Sequence, residues 1–218
     1  MKKGFTLFEL LLTLAIVGTV AALTIPTVVD NYTKTTYIRS LQNVQNSLKT
    51  AITDAFTKER VSTLEDSTLG SSAENFLRRY IKISADCGTS HANCLASSYK
   101  SLDKSTSINT SSMLDDNFYC ITVQSGAVIC LTKMSPNNGD VHGNSVVVID
   151  INGKNQPNVN GRDLFSFAIY TDGKMGNSYE TVLDAANGTT CNNYASTAGF
   201  CGACYSRIVA DGWKMNYW

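Results

Sequence analysis

The sequence predicts an α+β fold in which one long N-terminal helix, transmembrane at first and amphipathic later, packs on an antiparallel β-sheet head. Three observations lead to this prediction. An apolar stretch opens the chain, apolar residues then recur at spacings of three and four, and short β-prone runs separated by turn residues follow from residue 118. We therefore divide the chain into a cationic leader at 1–4, a membrane helix at 5–29, its amphipathic continuation at 30–60, and a β-rich, disulfide-containing head at 61–218.

The membrane helix is predicted from the run Phe5–Ile25, which carries a single charge, Glu9. A helix of this length spans roughly 31 Å, close to the ~30 Å hydrocarbon core of a bilayer. Lys2 and Lys3 precede the run, which places the leader in the cytoplasm and the rest of the chain on the exported side. The alternative is a secretory signal cleaved near Val20–Ala22. Glu9 argues against it, because a carboxylate within an apolar segment is costly.

The apolar pattern continues beyond the membrane helix as a stripe along one helical face. A cleaved signal does not need such a continuation, whereas a membrane-anchored stalk does. Pro26 lies between the two parts and is expected either to kink the helix without ending it or to break it where the chain leaves the membrane. The stripe consists of Ile38, Leu41, Val44, Leu48, Ile52 and Phe56.

The segment Gly4-Phe5-Thr6-Leu7-Phe8-Glu9-Leu10, with its apolar helix and late proline, resembles the processing motif of type IV prepilins and type II secretion pseudopilins. The resemblance covers about the first 30 residues. It implies that a prepilin peptidase cleaves after Gly4 and methylates the new amine of Phe5. Gly4 suits this chemistry because it places no side chain at the scissile bond.

The resemblance also implies roles for Glu9 and Pro26 in assembly. Glu9 would attract the N-terminal ammonium of a neighbouring subunit, and pairing two otherwise costly charges would fix the register between subunits. The competing interpretation is that Glu9 sits at the membrane edge and reaches the lipid headgroups.

A pilin-like structural subunit is the function that the resemblance implies. It would be processed and built into a type IV pilus-like filament for pilus assembly, adhesion or DNA uptake. Its partners would be further copies, other pilins, the prepilin peptidase, the inner membrane and the assembly machinery. It would begin as a single-pass inner-membrane protein with an exported head and end in an extracellular or periplasmic filament. The alternatives are a type II secretion pseudopilin and an exported calcium- or ligand-binding domain on an uncleaved anchor.

The head is predicted to contain two short helices and a sheet. Ser71 and Glu74 form a candidate capping box for a helix over 72–83, and residues 84–116 are expected to form a surface loop. Gln124-Ser125-Gly126 predicts a tight hairpin turn. The predicted strands are 118–123, 127–131, 146–151 and 164–171, and the predicted last helix is 203–210.

All seven cysteines lie beyond residue 86, on the side of the membrane where disulfides form. Cys120 and Cys130 are placed symmetrically about the predicted hairpin turn, which predicts a cross-strand disulfide. Cys87 and Cys94 form a second local candidate pair. Cys191, Cys201 and Cys204 leave one cysteine over, so their pairing stays open.

The segment 150–163 has the composition of a calcium-binding loop. Asp150 and Asp163 would supply charge, and Asn152 and Asn158 would supply amide oxygens, which are the hard ligands that calcium prefers. The order of residues differs from the EF-hand pattern. The alternative is an Asn/Gly-rich turn that satisfies its own backbone.

The charge balance and the histidines argue against two further function classes. The chain has 18 basic and 18 acidic side chains, whereas a nucleic-acid-binding protein usually carries a basic surplus. His91 and His142 lie in polar loops without a nucleophile motif beside them. We therefore expect neither nucleic-acid binding nor catalysis, and no cofactor other than the candidate calcium.

Overall fold

The computed structural model describes residues 6–135, 143–176, 191 and 202–217. The chain divides into two compact units, Met1–Thr36 and Tyr37–Trp218. Helix α1, Leu7–Glu59, begins in the first unit and ends in the second.

In the first unit, several threonine hydroxyls of helix α1 donate hydrogen bonds to the backbone of the same helix. The Thr13 and Thr19 hydroxyls donate to carbonyls three residues earlier, and the Thr24 and Thr33 hydroxyls donate to carbonyls four residues earlier, all at 2.9 Å. In hydrocarbon no water is present to satisfy such groups, so internal bonds of this kind make the polar residues tolerable. The threonines are therefore compatible with a membrane-spanning segment.

In the second unit, the predicted apolar stripe of α1 forms one wall of the main core. Five of its six members are buried, and Phe56 is partly buried against the same core. Gln45 is also buried on this face, and its amide donates to the Tyr205 hydroxyl at 2.9 Å. The helix ends at Glu59, and Arg60 follows with a left-handed φ of 56°.

Glu59 ties the end of α1 to the next two helices, α2 (Thr68–Ser71) and α3 (Ala73–Tyr80). Its carboxylate accepts hydrogen bonds from the Thr68 backbone N–H, the Thr68 hydroxyl and the Tyr80 hydroxyl, each at 2.6 Å. Burial alone would raise the pKa of Glu59, but these hydrogen bonds and the nearby Arg79 lower it further than burial raises it. The ionised form of Glu59 is thus favoured in the folded protein.

A Glu59→Gln variant is expected to lose about 2 kcal/mol of unfolding free energy at pH 7, because a charged acceptor of several hydrogen bonds is replaced by a neutral amide. The pKa of Glu59 is lowered in the fold, so its contribution is complete above the ordinary value of 4.5 and is lost as the pH falls through the folded-state pKa. The difference between wild type and variant should therefore shrink below about pH 4. Urea unfolding of the full-length protein in detergent, followed by tryptophan fluorescence at several pH values, measures this difference in unfolding free energy.

Glu65→Gln is the matched control, because Glu65 is an exposed acid close to the same cluster in sequence. Its unfolding free energy should stay within about 0.5 kcal/mol of wild type. Equal losses in both variants, or a Glu59→Gln loss that does not change with pH, would contradict the role given to Glu59.

The head contains a six-stranded antiparallel sheet in the described part of the chain, which confirms the predicted α+β class. Its strands are β1 (Ile83–Gly88), β4 (Phe118–Val123), β5 (Val128–Thr132), β6 (Asn144–Asp150), β7 (Leu164–Tyr170) and β8 (Met175–Gly176), which lie in this order across the sheet. Strands β2 (Ser98–Lys100) and β3 (Ser107–Asn109) form a separate pair. The predicted turn joins β4 to β5, and Gly126 adopts a φ of 86° there.

The expected surface loop at 84–116 is wrong, because this segment contains regular structure. Strand β1 occupies its start and pairs with β4. A 3₁₀ turn at His91–Asn93 follows, and then the short strands β2 (Ser98–Lys100) and β3 (Ser107–Asn109) pair with each other before helix α4, Thr110–Met113. Strands β2 and β3 are too short for a clear local pattern, and β1 is stabilised by β4, which lies much later in the chain.

The capping residue of α3 also differs from the prediction. Ser72, not Ser71, is the N-cap, and its side chain accepts a hydrogen bond from the Asn75 N–H at 3.2 Å. Ser71 ends α2, and its hydroxyl donates to the Thr68 carbonyl at 2.9 Å. The Ser71 hydroxyl therefore bonds within its own helix, α2, and does not cap α3. Helix α3 ends at Tyr80, three residues before the predicted end.

The last helix, α5 (Gly202–Ala210), packs on the sheet close to the predicted position. Tyr205 and Ile208 are buried in the main core, and the Tyr205 ring stacks on Phe167 of β7 with ring centroids 4.2 Å apart. Together with the bond to Gln45, this contact joins α1, α5 and the sheet around one core.

Candidate functional site

The start of helix α1 is the first candidate site. The processing residues Gly4 and Phe5 lie outside the described residues, so cleavage and methylation there stay predictions. Thr6 is the first described residue and forms a capping box with Glu9. The Glu9 carboxylate accepts from the Thr6 N–H and hydroxyl, each at 2.8 Å, and the Thr6 oxygen accepts from the Glu9 N–H at 3.2 Å.

The capping box shows that Glu9 has a local partner within its own helix. The capping role of Thr6 was not predicted from the motif, although the Thr-x-x-Glu spacing is the signal that indicates it. These bonds hold the Glu9 carboxylate at the N-terminal end of the helix. The pairing of Glu9 with a neighbouring subunit stays a prediction.

Large apolar side chains cover the first part of α1 and are exposed. Their exposed fractions run from 48% for Leu12 to 79% for Leu23. By length and composition, α1 is the one helix of the described residues that is apolar enough to cross a membrane. The exposed set is Leu7, Phe8, Leu10, Leu11, Leu12, Leu14, Ile16, Val17, Val20, Leu23, Ile25, Val28, Val29 and Tyr32.

This apolar surface needs a non-aqueous partner. Burying one such side chain is worth about 1.5–3 kcal/mol, and the set contains fourteen. Among the described residues, the second unit contributes no member to it. Lipid or the same surface of further chains would provide the missing contacts.

Pro26 lies inside α1 and does not end the helix. Proline has no N–H, so the carbonyl of Ala22 lacks its usual helical donor at this point. Of the two expectations for Pro26, the break at the membrane exit is therefore wrong. Its role in assembly stays a prediction.

The second candidate site is the acidic loop, residues 150–163, between β6 and β7. Asp150 is fully buried, and its carboxylate accepts from the Tyr99 hydroxyl and, at 3.0 Å, from the Asn152 N–H. Asp163 is also fully buried and accepts from the N–H groups of Asn158 and Val159, each at 2.7 Å. Two acidic side chains thus organise the whole loop from its interior.

Burial dominates the electrostatics of the acidic loop. It raises the pKa of Asp150 to about 8, and the charge of Asp163 acts in the same direction while the Tyr99 hydrogen bond opposes it. Burial also raises the pKa of Asp163 to about 6, against the opposing effect of its backbone hydrogen bonds. The Tyr99 hydroxyl has its pKa raised by burial and by Asp150. Negative charge in this loop is therefore costly unless it is compensated.

Asn152 and Asn158, the other candidate ligands, lie against the two acids. The backbone of each donates to one of the carboxylates, and the Asn152 side chain also hydrogen-bonds to Asp163. The structure thus brings all four predicted ligands close together, with Asp150, Asn158 and Asp163 buried and Asn152 partly buried. In the described residues no group of three or more His, Cys, Asp or Glu side chains is arranged to hold a metal. Any metal here would depend on the amide oxygens.

Within the described residues, three disulfides stabilise the head. Cys120 and Cys130 are directly opposed on β4 and β5, with Cα atoms 4.0 Å apart, and Cys87 pairs with Cys94. These are the two pairs named from the sequence. Cys191 pairs with Cys204, while Cys201 lies outside the described residues. Each bond can contribute roughly 2–4 kcal/mol by restricting the unfolded chain.

The structure describes one of the two histidines, His91, and His142 lies outside the described residues. The His91 ring is buried, and its Nε2 atom lies 3.2 Å from the carbonyl oxygen of Phe118 on β4. This contact gives His91 a backbone partner in the head.

Comparison with known proteins identifies the N-terminal segment. Residues 1–25 match the family model described as the prokaryotic N-terminal methylation motif, which is the signature of type IV pilins and pseudopilins. This finding confirms the resemblance noted in the sequence. The motif implies processing by a prepilin peptidase and assembly with other pilins, and with the apolar helix it indicates a membrane-anchored, exported protein. No curated protein and no solved structure matches the chain.

Proposed function

We propose that the chain is a structural subunit of a type IV pilus-like filament. The observation that carries the proposal is the methylation motif at residues 1–25, continued by a helix whose exposed apolar side chains all lie between Leu7 and Tyr32 in the described residues. The motif directs removal of a leader peptide, and an apolar helix follows it. This combination suits a protein that is first held in the membrane and then packs with the same helices of other subunits.

Cohesion in such a filament would come from the first unit. The apolar surface leaves lipid for a similar apolar environment, so the transfer itself is nearly neutral and packing between helices decides the geometry. Glu9 would add register, because it is the single charge between Phe5 and Val29. Prepilin peptidase would cleave each copy once, and the assembly machinery would supply the energy that moves the subunit out of the membrane.

The second unit would form the outer surface of the filament. The three disulfides of its described residues and its large apolar core make it suited to conditions outside the cell. We propose a mechanical and interactive role for it rather than catalysis, and the buried position of His91 supports this.

A pseudopilin of a type II secretion system would share the motif and the helix, so the test measures both filament formation and protein secretion. The gene is deleted in the host cell, surface filaments are counted by electron microscopy, and proteins released to the medium are measured. We expect filaments to be lost and secretion to be unchanged. Retention of secreted proteins with normal filaments would instead identify a pseudopilin.

The same strain tests the uncleaved-anchor alternative. With the gene restored on a plasmid, the chain should appear in the fraction sheared from the cell surface as well as in the membrane. Normal filaments and normal secretion in the deletion strain, together with a chain confined to the membrane, would contradict a filament role of either kind.

A further inference from the structure

The six-stranded sheet of the head has two ends, and each end is defined by the loops that meet there. The β4–β5 turn, the start of β1 and the acidic loop, residues 150–163, lie together at one end, because Ile83 pairs with Val123 and Asp150 pairs with Val128. We call this the hairpin end. At the opposite end, β4 begins and β7 ends. The 6 residues of β4 separate the two ends by roughly 20 Å.

Exposed lysines surround the hairpin end. One directly precedes β1, one belongs to the acidic loop, and two lie in the segment that follows β2. This last segment is placed at the hairpin end because the Lys100 N–H donates to the Asn158 carbonyl at 2.8 Å. Within the described residues, none of these lysines forms an ion pair. They are Lys82, Lys100, Lys104 and Lys154.

Acidic side chains do little to offset these lysines. Asp103 is the exposed acid in the described part of the same loops. Asp150 and Asp163 of the acidic loop are fully buried, and burial raises the pKa of both, which reduces the negative charge behind the lysines. The surface of the hairpin end is therefore basic.

The opposite end carries exposed acids. Two of them form the turn immediately before β4, and two follow Leu64 in the connection between α1 and α2. This connection is placed at the opposite end because the Leu64 N–H donates to the Thr171 carbonyl, just after β7, at 2.8 Å. The four acids are Glu65, Asp66, Asp115 and Asp116.

The cations of the opposite end are fewer than its acids in the described residues. Arg60 and Lys133 are exposed there, while Lys174 forms an ion pair with Asp172 at 2.9 Å. The two ends of the sheet thus have opposite charge. Unlike ends attract each other, whereas two hairpin ends or two opposite ends would repel. This distribution favours contact between the hairpin end of one copy and the opposite end of another.

The hairpin end also has a cleft that suits a protruding acidic turn. The cleft has a volume of about 390 Å³ and lies between α1, Lys82 and the β4–β5 turn. Its floor includes the buried side chains of Val44 and Ile129, and its rim includes the polar side chains of Ser47 and Gln124. A lysine beside hydroxyl and amide donors is a suitable environment for a carboxylate.

We propose that the heads of two copies stack end to end, with the turn at Asp115 and Asp116 of one copy against Lys82 and Lys154 at the hairpin end of the next. This inference rests on the proposed filament function and specifies how successive heads meet. A contact between two different surfaces leaves one of each free, so it can repeat along an open array. Exposed charge pairs are weak and screened by salt, so we assign them direction and register rather than cohesion.

Carbodiimide cross-linking of the purified full-length protein tests this contact without filaments. The reagent joins a lysine amine to a carboxylate that touches it. Unlabelled and heavy-isotope-labelled protein are mixed in detergent before the reaction, so a peptide pair with one half of each label must join two copies. Mass spectrometry should find such pairs between Lys82 or Lys154 and Asp115 or Asp116. Their yield should fall about tenfold between 0.01 M and 1 M salt, as the Debye length shortens from about 30 Å to about 3 Å.

Charge reversal at one end tests whether electrostatic pairing causes the contact. The double variants Lys82→Glu/Lys154→Glu and Asp115→Lys/Asp116→Lys should each associate about tenfold more weakly than wild type, because like charges then meet. An equal mixture of the two variants should associate as wild type does, since each altered end then meets an end of opposite charge. Sedimentation velocity of the full-length proteins in detergent measures the association.

Lys49→Glu is the matched control for Lys82→Glu, because both change the net charge equally. Lys49 is exposed on α1 between the two ends. Its reversal should leave association unchanged, whereas Lys82→Glu should weaken it. All substituted side chains are exposed, so every variant should melt within about 2 °C of wild type.

The proposal is overturned if wild type gives no mixed-label pairs between the two ends, or if the mixture of variants associates no better than either variant alone. Weaker association in the hairpin-end variant alone would also overturn it, and would assign the lysines to another acidic partner such as anionic lipid headgroups. None of these readouts depends on filament formation. Failure of the filament function in the deletion strain is therefore distinguished from failure of this contact.

Discussion

A Gly4→Glu variant is expected to keep its first four residues and to accumulate in the membrane as a precursor. The peptidase must bring its catalytic groups close to the backbone on both sides of the scissile bond. A glutamate side chain there displaces the substrate by an ångström or more, and a displacement of that size lowers the rate by about 100-fold. Without cleavage, no free amine forms on Phe5, so methylation fails as well.

Intact-protein mass spectrometry measures this outcome directly. Wild type should lack the mass of Met1–Gly4 and carry one additional methyl group, which fragmentation places on Phe5. The variant should show the full translated mass. It should also be absent from the fraction sheared from the cell surface.

Gly18→Glu serves as the control for the new charge, because a Cβ atom at Gly18 meets no atom within 4 Å and the residue lies far from the scissile bond. It should be cleaved and methylated normally, whatever it does to assembly. An N-methylated Phe5 in the Gly4→Glu protein would refute the processing site. A wild-type chain that begins at Leu23 would show instead that a secretory signal is removed.

A Glu9→Gln variant is expected to be cleaved normally but to enter filaments on the order of 100-fold less often than wild type. In the assembled bundle, loss of the carboxylate leaves the neighbouring ammonium without its partner in an apolar environment. Breaking one side of such a buried pair costs about 3–5 kcal/mol. Immunoblots of sheared and membrane fractions give the distribution of the protein between filament and membrane.

The choice of glutamine separates two roles of Glu9. The structure shows that Glu9 caps its own helix through Thr6, and glutamine can serve as the third residue of a capping box. Glu9→Ala removes both the capping contact and the charge. If charge pairing sets the register, the two variants should fail alike. If capping is the role, Glu9→Gln should assemble almost as well as wild type and only Glu9→Ala should fail.

Asp30→Asn is the matched control for loss of an acid from the same unit. Asp30 forms a partly exposed ion pair with Lys34 at 2.9 Å, and such pairs contribute about 0–1 kcal/mol. Its incorporation should stay within a few-fold of wild type. A comparable loss in this variant would mean that any change of charge in the helix disturbs assembly.

The parts of the fold that could be predicted are those in which the pattern is local. The stripe from Ile38 to Phe56 identifies a buried helical face, because apolar side chains spaced by three and four can only meet on one side of a helix. The β4–β5 hairpin follows from a glycine between two β-prone runs, and its register sets Cys120 opposite Cys130. In each case the residues that decide the structure lie within a few positions of one another.

The segment from Ile83 to Met113 could not be predicted, because β1 pairs with a distant part of the chain and β2 and β3 are very short. Strand β1 is an edge strand whose side chains at Ser84, Ala85 and Asp86 are mostly outside the core, so it lacks a clean alternation. It is a strand because β4, more than thirty residues later, pairs with it. Strands β2 and β3 contain three residues each, too few for any periodic signal.

The two candidate sites differ in the same respect, since one depends on residues that are neighbours in sequence and the other on residues that are distant in sequence. By itself, the sequence determined the N-terminal segment: a glycine before a phenylalanine, a lone acid and an apolar run form one contiguous motif, which is readable without a folded head. Only the tertiary structure decided that Asp150 and Asp163 are buried, that Tyr99 from a remote strand bonds to Asp150, and that two asparagine oxygens lack donors. Burial and unsatisfied polarity depend on everything that surrounds an atom, and those surroundings come from segments that meet only in the folded chain.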